Sequence, residues 1–293
     1  MPNLKQIKTR IKSTQNLKKI TKALEVVSTV KLQKNKSRTE RMRDYFVQLA
    51  QLVGKVGGYS GLFQESVNSQ ASRDLVILIS SDKGLCGAAN SKLFKDLSTQ
   101  YQDRKENTDV FVVGKKGFEF AVRAGYSVVG QLMLGDDYVQ ADLAVLFAYL
   151  NNHSNDYRTI SMVFNFYKNT LIQIPNTLSI YPLDMSQVNT LLTHIWVAIP
   201  VDWVEMGDET LIEPDVSTLN TELARQIKQY IIMAALLQNK LTEHAQRMIA
   251  MKWAKDNCGQ LIDGLTLQYN KARQAAITKE ISEIVSAKIA IEG

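Results

Sequence analysis

Two long stretches without proline, one at each end of the chain, constrain its fold more than any other feature. Between Asn3 and Val56 there is no proline and one glycine, Gly54, while Leu4, Ile7, Ile11, Leu17, Ile20, Leu24, Val27 and Val30 recur at spacings of three, four or six. Residues three and four apart share one side of a helix, so the pattern predicts a single helix of unusual length. About 50 residues of helix extend roughly 75 Å at about 1.5 Å per residue. Gly57, Gly58 and Gly61 then break it. After Pro214 the helical period returns without another proline, its apolar stripe running from Leu219, Leu223, Ile227 and Ile231 through Leu241, Met251, Leu261 and Leu265 to Ile281, Ile284 and Val285. A lone helix leaves such a stripe in water. With no internal repeat and no membrane-length apolar run, the expected solution is antiparallel pairing of the two arms.

Between the arms the period changes. Residues 75–81, LVILISS, read as a buried strand and 110–113 as a second, with helices at 90–101, 116–124 and 139–151. Residues 160–167, 177–181 and 195–199 have strand character, and Pro175, Pro182 and Pro200 punctuate that half. Alternating strands and helices predict a small open α/β sheet. The expected fold class is therefore α/β: a long antiparallel coiled coil of N- and C-terminal helices with an inserted open, Rossmann-like α/β domain. The expected boundaries are 1–58 and 212–293 for the two paired helices and 70–205 for the globular domain.

Charge is distributed unevenly. The formal net charge is +6, yet residues 1–43 carry thirteen Lys or Arg against Glu25 and Glu40, a local balance of +11, leaving −5 for the rest. A basic arm suits nucleic acid, an anionic membrane or an acidic protein. Residues 2–44 contain no aromatic side chain, which removes a base-stacking platform and leaves only backbone contacts for a duplex. Coiled-coil surfaces ordinarily mix signs, so an acidic partner surface is implied. The first ten residues lack a signal-peptide apolar core, and the expectation is a mature, cytoplasmic start.

Catalytic patterns are missing where they would be sought. The string SDKGLCGAAN, residues 81–90, follows a strand and precedes a helix, as a phosphate-binding loop would. A P-loop needs Gly, Lys and then Ser or Thr at the helix start; here Lys83 precedes Gly84 and Ala88 follows Gly87. No GxGxxG is present either, so a structural turn is expected. Cys86 and Cys258 are far apart and fit neither a disulfide framework nor a zinc site; Cys86 would be a nucleophile only with a histidine beside it in space. His153, His194 and His244 have no metal or triad spacing. Near the end, Arg273, Gln274 and Thr278 fall at helical offsets that put them broadly on one side, a donor-rich face for a partner.

Three separated strings carry a family resemblance: ITKALEVVSTVKLQK at 20–34, SDKGLCGAAN at 81–90, and EHAQRMIAMKWAKDN at 243–257 followed by YNKARQAAITKEISEIV at 269–285. In order, spacing and overall length the chain resembles the gamma subunit family of F-type ATP synthases. The resemblance implies a non-catalytic central rotor stalk, without cofactor or metal, which couples rotation of the c-ring to ATP synthesis in a ring of three alpha and three beta subunits. It implies the epsilon subunit and the c-ring as further partners, no nucleic acid, and a peripheral place on the cytoplasmic face of the bacterial inner membrane. Family contacts to the beta subunits map onto Arg273, Gln274 and Thr278, with Lys22 and Leu24 beside them. The chain departs from the pattern at Leu24, where methionine is common, at Ser286-Ala287-Lys288, and at Gly259 and Gly264 inside the C-terminal helix. These glycines either soften the shaft or allow close packing. No cysteine pair of the plastid regulatory type occurs. Competing classes, a nucleic-acid-binding coiled coil and a nucleotide-dependent enzyme, would show salt-sensitive nucleic-acid binding or nucleotide binding by the chain alone.

Overall fold

The computed structural model describes residues 4–55, 67–183 and 215–292. The glycine break, the strand expected at 195–199 and His194 lie outside these residues. The elements are α1 (Leu4–Lys55), β1 (Arg73–Ile79), α2 (Ala89–Tyr101), β2 (Thr108–Val113), α3 (Lys115–Ala124), β3 (Ser127–Leu132), α4 (Ala144–His153), β4 (Tyr157–Tyr167), β5 (Gln173–Tyr181) and α5 (Val216–Glu292). The chain divides into two compact units, one of Met1–Ser28 with Arg247–Gly293 and one of Thr29–Gln246.

In the second unit the strands lie in the order β3-β2-β1-β4-β5. All pairs are parallel except β4 with β5. The apolar run of β1 is buried on both faces because helices cover both. Its alternation sorts the residues: Val76 and Leu78 join Leu93, Leu97 and Ala121 of α2 and α3 on one side. Leu75, Ile77 and Ile79 join Phe46 of α1, Leu146 of α4 and Leu223, Ile227 and Ile231 of α5 on the other. Within this unit α1 and α5 run antiparallel, with Tyr45 Oη 3.4 Å from Gln226 and Tyr230 Oη donating to the Met42 carbonyl at 2.8 Å. At the amino edge of the sheet, Asp74 accepts from Arg158 and from Thr159 Oγ1, and Asp109 accepts from Arg73.

Strand β3 escapes the sequence reading. It is a half-exposed edge strand interrupted by Gly130, where any Cβ would strike the Phe111 ring, and a glycine inside a strand erases the alternating signal. The helix expected at 139–151 begins instead as a 3-10 turn, Gln140–Leu143, before α4.

In the first unit the helices are also antiparallel. Glu25 pairs with Lys255 at 2.9 Å, Lys18 lies beside Gly259, and Lys5, Ile7, Thr9 and Arg10 line one hollow with Leu265 and Gln268.

Candidate functional site

The seam of the terminal-helix unit is not the one the apolar spacing predicts. Thr21 and Ser28 are buried, at 5% and 2% exposure, whereas Leu17, Ile20 and Val27 are exposed, at 51%, 57% and 49%. The buried line runs through Ile7, Thr21 and Ser28, with Thr14 half-buried between them; Ile7 is one of the expected apolar positions, whereas Thr21 and Ser28 each lie one residue on from one. One residue is about 100° of helix rotation, so around Thr21 and Ser28 the pairing face turns away from the apolar stripe that it shares at Ile7. Small side chains let the helices approach. Their hydroxyls are satisfied inside α1, Thr21 Oγ1 donating to the carbonyls of Leu17 and Lys18 and Ser28 Oγ to that of Leu24, so no polar atom is stranded. From α5, Met251 and Cys258 face this seam while Trp253, Leu261 and Leu267 are exposed. Ile277, Ile281, Ile284, Val285, Ile289 and Ile291 are exposed as well. An apolar face of this extent on ordered helices marks a surface that partners cover.

Arg273, Gln274 and Thr278 are exposed on α5, Lys22 is exposed on α1, and Leu24 is partly buried there. They do not form one patch. Glu25 lies level with Lys255, and Arg273 is eighteen residues further along α5, about 27 Å at about 1.5 Å per residue. The glycine question also resolves: nothing lies within 4 Å of a Cβ added at Gly264, and at Gly259 only the flexible end of Lys18 does, so neither glycine is required for helix packing.

The basic arm is partly neutralised within the chain. Lys31 is paired with Asp136, Lys34 with Asp137 at 2.6 Å, and Arg38 donates to the carbonyls of Asp136 and Tyr138. The acidic surface inferred for these three bases is therefore the chain's own loop after β3. Lys5, Lys8, Arg10, Lys12, Lys18, Lys19 and Lys22 remain exposed on the first half of α1.

A second site, which the sequence reading missed, lies at the carboxyl ends of the parallel strands. There α5 turns polar: Gln238, Asn239, Lys240, Thr242, Glu243 and His244 are all buried. Asn239 Oδ1 accepts from the Asn165 backbone N–H at 3.3 Å and from Asn165 Nδ2 at 3.1 Å. Gln238 Oε1 accepts from the Tyr167 N–H at 3.2 Å, and Thr242 Oγ1 donates to the Asn165 carbonyl at 3.4 Å. Lys240 Nζ donates to the Leu134 carbonyl at 3.1 Å and is 3.8 Å from Asp82. His244 Nε2 is 3.2 Å from Asp136, and Gln246 Nε2 donates to Gln173 Oε1. The His244 contact, followed by those of Lys31 and Lys240, holds Asp136 well below the usual carboxylate range despite its burial. Breaking one such buried bond leaves a desolvated group costing about 1–3 kcal/mol.

This placement explains the SDKGLCGAAN string. In open α/β sheets, ligands bind outside the carboxyl ends of the strands, where the strand order reverses. Here that place is occupied by α5. Gly87 supplies the positive φ of +57° in the loop that lies against Gln246 of α5, a conformation that residues with a Cβ rarely adopt. Ser80, Asp82, Gly114, Leu134, Asn239 and Lys240 enclose a residual space of about 10 Å³, room for one water at most. Cys86 is buried with Asn90 Nδ2 at 3.3 Å and Ser81 Oγ at 3.7 Å, and no histidine is among its hydrogen-bonded neighbours in the described residues. Among the described residues no cluster of His, Cys, Asp and Glu could hold a metal ion, and no helix is long and apolar enough to cross a membrane.

Comparison with known proteins adds an independent line. A family model described as ATP synthase matches residues 3–291. An ATP synthase gamma chain of Xanthomonas campestris pv. campestris (strain B100) is 34% identical, covering 98% of this chain and 99% of the relative. One from Chromobacterium violaceum is 36% identical, with coverage of 98% and 99%. In fold, the chain is similar to one in the cryo-EM structure of the Euglena gracilis mitochondrial ATP synthase, OSCP/F1/c-ring, in rotational state 3, with a TM-score of 0.69 at 18% identity over 98% of this chain and 94% of that one.

Proposed function

This chain belongs to the ATP synthase gamma chain family, and from that premise we propose that its terminal-helix unit turns inside a ring of three alpha and three beta subunits while its sheet unit engages the epsilon subunit and a proton-driven c-ring. It is a non-catalytic stalk component, and the ATP chemistry is that of the complex. The observation that carries the reading is the outward apolar surface of the terminal helices: Thr21 and Ser28 are at the seam, and Leu17, Ile20, Val27 and the isoleucines of 277–291 are outside. Such faces turn within an apolar sleeve. The exposed bases of α1, with Lys22 foremost, and the donors Arg273, Gln274 and Thr278 meet acidic and polar groups of the beta subunits, and Leu24 packs beside them.

Torque follows from asymmetry. A rotor that presents a different face to each beta subunit stabilises a different conformation in each, so a turn shifts the affinities of the three sites for ADP, phosphate and ATP in sequence. The chain is then peripheral to the membrane, held through the c-ring at the cytoplasmic face. Native mass spectrometry with an ATPase assay, on this chain mixed with the alpha and beta subunits of its own organism, tests the reading. The expected species is active and holds one copy of this chain with three alpha and three beta; nucleotide hydrolysis or nucleic-acid binding by the chain alone, without assembly, would overturn it.

A further inference from the structure

We propose that the buried polar segment 238–246 of α5 is a torsional clamp that fixes the rotation of α5 against the sheet, with Asn239 and Thr242 as its positioning residues. The inference deepens the rotor reading and rests on it.

An apolar stripe alone holds a helix weakly against rolling, because hydrophobic contact has no direction and one set of methyl groups replaces another as the helix turns. Hydrogen bonds are directional and fail within a few tenths of an ångström or a few tens of degrees. Along α5 the apolar packing of Leu223, Ile227 and Ile231 gives way to the polar segment just before the helix leaves this unit at Gln246. At about 100° per residue, Gln238, Thr242, Gln246, Asn239 and Lys240 point in successive directions over roughly 200° of the helix circumference. Each meets a different group on the sheet or the loop after β3: Tyr167 N–H, the Asn165 carbonyl, Gln173, the Asn165 amide groups and the Leu134 carbonyl. His244 adds Asp136, which also binds Lys31 of α1, so both helices are tied to the loop after β3. A roll of α5 by one residue position would break all of these at once. A rotor driven at the sheet unit needs such a joint, since torque reaches α5 only through contacts that resist rolling.

The test uses the assembled complex carrying Asn239→Leu with Thr242→Val, two near-isosteric changes that keep volume and delete the directional bonds. The expected result is ATP hydrolysis within about twofold of wild type, with rotor torsional stiffness in single-molecule rotation, and protons pumped per ATP, both lower by about two- to fivefold. Wild-type stiffness and pumping ratio in a hydrolysing complex would overturn the clamp. If the double variant does not assemble, Thr242→Val and Thr242→Ser decide: the serine retains the hydroxyl and keeps wild-type stiffness while the valine loses it, and equal values overturn the proposal. Failure of the rotor reading is distinct, since the wild-type complex would then show no rotation.

Discussion

Two regions of one helix obey opposite rules. In α5, residues 230–245 are buried on nearly every side, polar ones included, whereas residues 277–291 are exposed on every side although isoleucine recurs through them. The two stretches share a helical period and an apolar content, so neither property decides burial. What decides it is what lies alongside. The first stretch has the sheet, α4 and the second half of α1 against it; the second presents its apolar side chains outward, as a surface shaped for other chains. A helix that would be a solubility liability by itself is, on the proposed reading, a bearing.

The largest expected contrast sets a buried against an exposed isoleucine. Ile231→Ala in the isolated chain should cost about 2–5 kcal/mol in chemical denaturation, through lost burial and an unfilled cavity. Ile281→Ala, on the exposed stretch, should change folding stability by no more than about 0.5 kcal/mol. Equal costs at the two positions would break the comparison.

Next comes the seam of the terminal helices. Thr21→Leu should destabilise the chain by about 1–3 kcal/mol in thermal melts, because the seam was closed around a small side chain. Ile20→Leu, one residue away on the outward face, should leave the melt in place. A stabilising Thr21→Leu would mean that the pairing face follows the apolar stripe after all.

A smaller effect distinguishes the sheet unit by pH. Burial raises the Tyr138 phenol to about 12, opposed by the Arg38 guanidinium 4.7 Å from its ring. The unfolded phenol ionises near about 10. A raised pKa contributes stability that is fully present below the unfolded value and is lost as pH climbs to the folded one, so stability should fall between pH 10 and about 12. Denaturation midpoints across that window, with Tyr138→Phe flattening part of the slope, check it.

The smallest effect on folding belongs to Arg273→Ala with Gln274→Ala, both exposed. The isolated chain should melt as wild type, while ATP synthesis by the assembled complex falls. Unchanged synthesis and complex yield would remove these two residues from the contact with the beta subunits.

Much of this molecule was legible before any coordinates. The proline-free arms became α1 and α5, and β1, β2, β4 and β5 lie where apolar runs end at turn residues, because backbone periodicity and chain breakers act over a few neighbours. Strand β3 was hidden by Gly130, a residue chosen for the Phe111 ring of the adjacent strand. Two further things depended on neighbours remote in sequence. One is the phase of the seam: Leu17 and Ile20 are the more apolar residues, but Thr21 and Ser28 are narrower and bond to their own helix, so they take the contact and leave the apolar face outside. The other is the clamp. The string QNKLTEHAQ at 238–246 carries six polar or charged side chains besides His244, and only the sheet edge, with Asn165, Tyr167 and Leu134 offering bonds from β4 and from the loop after β3, turns it into an interior. Helix and strand are set by local periodicity; which face is inside is set by the partner that arrives, and that partner is more than two hundred residues away where Glu25 meets Lys255.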